Sequence, residues 1–281
     1  MKVDFVVYPE HGRPFTADAT FRNDGQPKPV IIYTHGFKGF KDWGHFNVLA
    51  RYFEDHGFVF IKFNFSYNGT SIEDYSDLHD MDAFGKNNFT LELDDMQALI
   101  DLLYSGSGPI NQSELDLDRL YLVGHSRGGG AVILKAAEEP RVKAVATFAA
   151  VNKYDNRWEE LEMGSWEQEG VQWVLNGRTG QEMPLYYQIV ENFKQNRNRL
   201  DIPNVILNMK QPLLILHGEE DEVLPTQMAH DLKTWKPDAE LNFLPQADHS
   251  FGGMHPYEEE VLPEAAKAAA DLTIEFFRKH A

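Results

Sequence analysis

The chain has 281 residues, 42% of them hydrophobic and 12% aromatic, enough for one large α/β domain with a sizeable core. Twenty-six basic residues against 44 acidic ones give a net charge of −18, a field that repels polyanions and argues against nucleic acid as a partner. With no cysteine, the sequence excludes disulfides, thiolate metal ligands and a cysteine nucleophile.

No apolar run approaches the ~18 residues of a membrane-spanning helix, and the N-terminus lacks the apolar core of a signal peptide. The expectation is a cytoplasmic protein with no membrane partner. Residues 3–8 alternate as a strand, Phe15 to Arg22 reads as a second, and Asn23-Asp24-Gly25 is a turn. Val30-Ile31-Ile32-Tyr33 is a short buried strand that ends at Thr34-His35-Gly36-Phe37. Residues 45–56 carry helical spacing at Phe46, Leu49, Ala50 and Phe53, with Gly57 at the end. A strand over Phe58–Phe65 leads into a long polar loop, Ser66 to Asn88, and Thr90 opens a helix with Leu91, Leu93, Met96, Leu99, Ile100 and Leu103 on one face. Leu120 to Val123 and Lys143 to Val151 are buried strands. Between them and the strand Pro212–Gly218 lies an interruption, 152–210, without clean strand periodicity. A helix over about Thr226–Trp235, a strand at Glu240–Leu244 and a helix over about Pro263–His280 complete the chain.

Continuous apolar strands alternating with amphipathic helices predict a mostly parallel sheet covered on both faces. The first two strands have no helix between them, so that edge is predicted to be antiparallel. The chain reads as one domain over 1–281, with 152–210 as a cap inserted between sheet strands.

The chemistry centres on Gly124-His125-Ser126-Arg127-Gly128, which follows one of these strands and precedes a small-residue helix. A serine at such a sharp strand-to-helix turn is the nucleophile-elbow pattern, and the flanking glycines leave room for close strand–helix approach. A neutral hydroxyl needs a base, and the base needs an acid to hold its tautomer. In this topology the order is serine, acid, histidine. The acid is predicted in Gly218-Glu219-Glu220-Asp221-Glu222, where Asp221 is favoured and the glutamates are read as solvated. The base is predicted at His249, in the loop after the last strand, with His255 as the fallback. Oxyanion donors are expected from the backbone N–H groups of Phe37 and Arg127. The Arg127 side chain is expected to pair with nearby acids.

These residues give the chain a resemblance to the α/β-hydrolase superfamily from about Val30 onward. The matching stretches are His35-Gly36-Phe37-Lys38-Gly39, Gly124-His125-Ser126-Arg127-Gly128-Gly129, His217-Gly218-x-x-Asp221 and Asp248-His249. More narrowly the chain is similar to the bacterial esterase-like branch, with dienelactone-hydrolase-type, prolyl-oligopeptidase-like and feruloyl-esterase-like members. Dienelactone hydrolases use a cysteine and dehalogenases an aspartate where this chain has Ser126, so neither activity is implied. The resemblance implies hydrolysis of an ester or related acyl bond without a cofactor, on a small-molecule substrate.

In the cap, Trp158, Trp166, Trp173 and Tyr187 are candidate substrate contacts, against the alternative that they pack the cap onto the sheet. Arg157, Arg178, Arg197 and Arg199 are read mainly as partners of acids. The acids of Ser66–Lys86 lack EF-hand spacing, His45, His56 and His79 lack zinc spacing, and no GxGxxG dinucleotide fingerprint occurs. No metal site is predicted. The leading expectation is a serine esterase. A thioesterase or small peptidase with the same triad is the alternative, in which Glu159, Glu160 or Glu162 would hold a substrate ammonium. A peptidase of the prolyl-oligopeptidase kind usually has a large extra domain, for which the ~30 residues before the His-Gly loop are too few. A hydrolase-fold binding protein is a third reading.

Overall fold

In the computed structural model, which describes residues 1–156, 158 and 163–281, the strands predicted above form an eight-stranded sheet. The strands are β1 (Lys2–Val7), β2 (Phe15–Thr20), β3 (Lys28–Thr34), β4 (Val59–Phe63), β5 (Leu115–His125) and β6 (Val142–Phe148). After the inserted segment come β9 (Leu213–Gly218) and β10 (Glu240–Leu244). The order is β1-β2-β4-β3-β5-β6-β9-β10. β1 and β2 pair antiparallel, β2 meets β4 antiparallel, and every later pair is parallel. This is the α/β-hydrolase architecture, with its antiparallel edge where two strands follow one another without a helix.

Alternation along each strand splits the apolar side chains between two cores. Val30, Ile32, Leu120, Leu122, Val145, Leu213 and Ile215 face one cluster. Ile31, Tyr33, Tyr121, Val123, Ala144, Ala146, Leu214 and Leu216 face the other. Both faces being covered, the strands show no polar alternation in sequence. The second cluster is closed by α1 (Phe46–Asp55) and α10 (Glu264–Lys279), whose stripe Ala266, Ala269, Ala270, Thr273, Ile274 and Phe277 repeats at helical spacing. The first is closed by α3 (Phe89–Ser105) and α4 (Arg127–Glu138).

Two segments are more structured than their sequence suggests. The polar loop after β4 contains α2 (Met81–Lys86), whose N-cap is Asp80: its carboxylate accepts from the Ala83 N–H at 3.0 Å. Three acids of that loop are paired: Asp80 with Arg13, Asp82 with Lys86 and Asp77 with Arg178. Residues 152–210 contain α5 (Met163–Glu169), a hairpin of β7 (Val171–Leu175) and β8 (Glu182–Tyr186), then α6 (Gln188–Gln195), α7 (Arg197–Leu200) and α8 (Ile202–Ile206). The hairpin strands have five residues each and are partly buried, too short and mixed for a clear period of two. Α3 begins at Phe89 rather than Thr90, because the Asn88 side chain caps it by accepting from the Leu91 N–H at 3.1 Å. Among the described residues, no helix is long and apolar enough to cross a membrane.

Candidate active site

Ser126 stands between β5 and α4 at φ 56°, ψ −121°. Two close approaches hold it there. A Cβ on Gly124 would lie 2.3 Å from the Gly128 carbonyl oxygen, and one on Gly128 would lie 2.4 Å from the His35 carbonyl oxygen. Neither position accepts a larger residue without backbone movement, so the elbow glycines are a packing requirement. The strained serine is the residue that gains, since α4 starts directly beneath it.

Asp221 follows β9 in a turn that fixes both its oxygens. Oδ1 accepts from the Val223 and Leu224 N–H groups at 2.9 and 2.8 Å. Oδ2 meets His249 Nδ1 at 2.8 Å and His217 Nε2 at 3.3 Å. Burial pushes this carboxyl up, but the His217 and His249 rings and the Leu224 N–H outweigh burial and hold it well below the usual carboxylate range. It is therefore ionised and unable to donate. His249, in the loop after β10, directs Nε2 to Ser126 Oγ at 3.1 Å. With Nδ1–H given to Asp221, Nε2 is the acceptor and the serine hydroxyl the donor.

The loop that carries His249 is pinned twice. The Asp248 carboxylate accepts from the Ser250 and Gly252 N–H groups at 2.9 and 2.8 Å. The His125 ring, next to Ser126, donates Nε2–H to the His249 carbonyl at 2.8 Å. Burial, then the neighbouring His249 ring, lower the His125 pKa to about 3, so it stays a neutral donor. His35 is likewise held neutral by burial, its pKa lowered to about 4. It donates Nδ1–H to the Gly36 carbonyl at 2.9 Å and accepts from the Phe65 N–H at 3.3 Å, which shapes the loop that carries Phe37. Among the described residues, neither the Phe37 nor the Arg127 backbone N–H has a hydrogen-bond partner. His255 lies apart from this chain of contacts: its ring stacks on Trp43 and accepts from the Gly44 N–H at 3.0 Å.

Ser126 and His249 open into a cavity of about 460 Å³. Trp158 and Trp166 line it, as do Phe37, Phe89, Val174, Leu185, Ile189 and Met228. Trp173 and Tyr187, the other two candidate substrate contacts, do not. Trp173 is on the outer face of the hairpin and 56% exposed, because Val174 takes the inward position. Tyr187 is buried, edge-on to Trp166, and its hydroxyl accepts from Lys194 Nζ at 3.2 Å. A more open, polar hollow of about 660 Å³ adjoins the cavity at Lys153, Asn156 and Trp158, without reaching Ser126. Arg157, Glu159, Glu160 and Glu162 lie outside the described residues. Arg178 pairs with Asp77, Arg197 with Asp201, and Arg199 with Asp94 and Glu138.

Sequence reasoning missed Phe89, Ile189 and Met228, which carry no chemical signature. It also missed Glu92, the acid that pairs with Arg127. For Glu92 a signal existed: it falls on the buried stripe of α3 with Phe89, Leu93 and Met96, where a carboxylate needs a partner.

The profile of the prolyl oligopeptidase family matches residues 45–266, from α1 to the start of α10 and including Ser126, Asp221 and His249. The chain belongs to the prolyl oligopeptidase family. It is a hydrolase of the type that this family shares with the esterases of the same fold. No curated protein matches the sequence. Among solved structures it is similar to the esterase domain of a Rhodothermus marinus protein (20% identity, 100% of this chain and 99% of that one, TM-score 0.67). It is also similar to Est1E from Butyrivibrio proteoclasticus (18%, 99% and 98%, TM-score 0.70). A puromycin-hydrolyzing peptidase of Mycobacterium tuberculosis matches at 15% over 99% of this chain but only 39% of its own, with a TM-score of 0.66. At these identities the likeness speaks for the fold.

Proposed function

We propose that this prolyl oligopeptidase family member is a cofactor-independent serine esterase that forms an acyl-enzyme. The observation that carries the proposal is the unbroken chain Asp221 Oδ2–His249–Ser126 Oγ, with contacts of 2.8 and 3.1 Å, at the mouth of a mostly apolar cavity. Ser126 Oγ attacks the ester carbonyl carbon while His249 Nε2 takes its proton. The electron pair of the carbonyl moves to oxygen, and the Phe37 and Arg127 N–H groups stabilise that oxyanion. The intermediate collapses, and His249 returns the proton to the leaving alkoxide. A water molecule then attacks the acyl-enzyme while His249 takes its proton, and His249 returns that proton to Ser126 Oγ as the acyl–oxygen bond breaks and the acid leaves. Asp221 stays ionised throughout and stabilises the imidazolium. The aromatic and aliphatic lining supports an apolar or aromatic acyl group.

Family membership favours a second reading, hydrolysis of an amide bond by the same residues. Initial rates on one acyl group presented as ester, thioester and anilide, for wild type and Ser126→Ala, separate the two. The expected outcome is ester-dominant turnover that falls at least ~10,000-fold in the variant. Anilide dominance would replace the esterase with the peptidase. Equal ester rates for both proteins would end the mechanism.

A further inference from the structure

The two residues whose backbones supply the oxyanion donors also touch through their side chains. The Arg127 guanidinium carbon lies 4.7 Å from the centre of the Phe37 ring, and 5.8 Å from that of Phe89. Arg127 Nη2 donates to Glu92 Oε1, an oxygen that also accepts from Asn87 Nδ2 at 2.7 Å. Glu92 is fully buried. The Phe37 ring also packs against Phe84 of α2, with centroids 5.5 Å apart. Arg127 is thus held from α3, and the Phe37 ring touches both its guanidinium and α2.

Phe37 needs such a grip more than Arg127 does. Arg127 opens a helix, whereas Phe37 lies in a loop beyond the end of β3, next to Lys38 at φ 58°. No sheet ladder fixes its N–H. A buried carboxylate on an apolar helix stripe is costly to keep, and a hydrophobic residue would fill the site without a charge to neutralise. A guanidinium can present its flat face to an aromatic ring while an edge N–H donates to a carboxylate, which a lysine ammonium cannot match. We propose that the Glu92–Arg127–Phe37 stack is a positioning device that sets the separation of the two oxyanion donors. This rests on the serine hydrolase reading above. The stack acts on the transition state, because only there does the carbonyl oxygen reach both donors.

Two variants test it. Phe37→Leu removes the aromatic face and leaves the ion pair intact. The double variant Arg127→Met/Glu92→Gln removes both charges and so leaves no unpaired buried carboxylate. For each, kcat and KM on a 4-nitrophenyl ester are measured beside the inhibition constants of phenylboronic acid, whose serine adduct is tetrahedral, and of benzoate, which mimics the product. The expected result is a kcat lower by about ten- to a hundredfold with KM within about twofold. The phenylboronic acid constant rises by a similar factor and the benzoate constant stays. Unchanged kcat in Phe37→Leu overturns the inference, as does a rise in KM and the benzoate constant at constant kcat, which would make Arg127 a substrate contact. If Ser126→Ala keeps its ester turnover, the reading of the site fails and the inference with it. An inactive Ser126→Ala beside unaffected stack variants overturns the inference alone.

Discussion

Ser126 occupies a backbone conformation that costs an L-residue of order 1–3 kcal/mol and persists only where its surroundings enforce it. Gly128 is one enforcer, because the β3 loop lies against it. Gly128→Ala places a methyl 2.4 Å from the His35 carbonyl oxygen. The expected result is a loss of about 1–3 kcal/mol in urea unfolding, with a larger proportional loss of hydrolase activity as the elbow and the Phe37 loop move apart. Asp221 makes a pH-dependent contribution. Its folded-state pKa is depressed below the unfolded value, so the stability it adds is present above about pH 4 and is lost as the pH falls through the folded pKa. The melting-temperature gap between wild type and Asp221→Asn should therefore be widest near neutrality and narrow below about pH 4. A gap that stays constant down to about pH 2 would show that the carboxylate charge is not what matters. At pH 7 the same variant should lose about 1,000- to 10,000-fold in kcat, because its amide no longer selects the tautomer that leaves His249 Nε2 free.

The cap elements divide their tryptophans by face. Trp166 on α5 is 1% exposed, donates Nε1–H to the Leu185 carbonyl at 2.8 Å and meets Trp158 and Tyr187 edge-on. Trp173 on β7 stands in solvent. Trp166→Ala should cost about 3–5 kcal/mol and open the cavity wall. Trp173→Ala should stay within about 0.5 kcal/mol of wild type. Chemical denaturation of both variants checks the pair, and a loss for Trp173→Ala as large as that expected for Trp166→Ala would mean that Trp173 faces inward. The hairpin is also tied to the rest of the chain: Arg178 in its turn pairs with Asp77, and Lys38 Nζ donates to the Leu175 carbonyl at 2.9 Å. Both bonds join the cap to loops at the carboxyl end of the sheet.

At the scale of the molecule, cap and sheet share one core. Tyr154, Trp166, Tyr187, Ile189, Val190 and Phe193 belong to the same buried cluster as Leu93, Val132 and Ile215. The ring of Tyr154 lies flat on Phe89 of α3 with centroids 3.9 Å apart. Among the described residues, the buried apolar side chains of the cap pack with those of the main domain, so the two are expected to melt together. Urea transitions followed by tryptophan fluorescence, to which Trp158, Trp166 and Trp173 report the cap, should coincide with those followed by far-ultraviolet circular dichroism. An earlier fluorescence transition would identify the cap as an independent unit.

Local signals made much of this protein legible. Apolar runs such as Val30–Tyr33 and Leu120–Val123 imply strands buried on both faces, because only a sheet with helices on each side removes the need for polar alternation. The order Ser126, Asp221, His249 was readable because each residue sits at a strand end marked by glycine or a turn, and the structure brings the three side chains into contact. What the sequence left undecided depends on contacts between residues far apart in the chain. Trp166 and Trp173 are the same residue type seven positions apart, and only the packing of α5 and the register of the hairpin put one at the cavity and the other in water. Glu92 and Arg127 are 35 residues apart, and their pairing exists only where α3 crosses the start of α4. Periodicity reports which face of an element is apolar. It does not report which other element covers that face, and the shape of the cavity is set by that second choice.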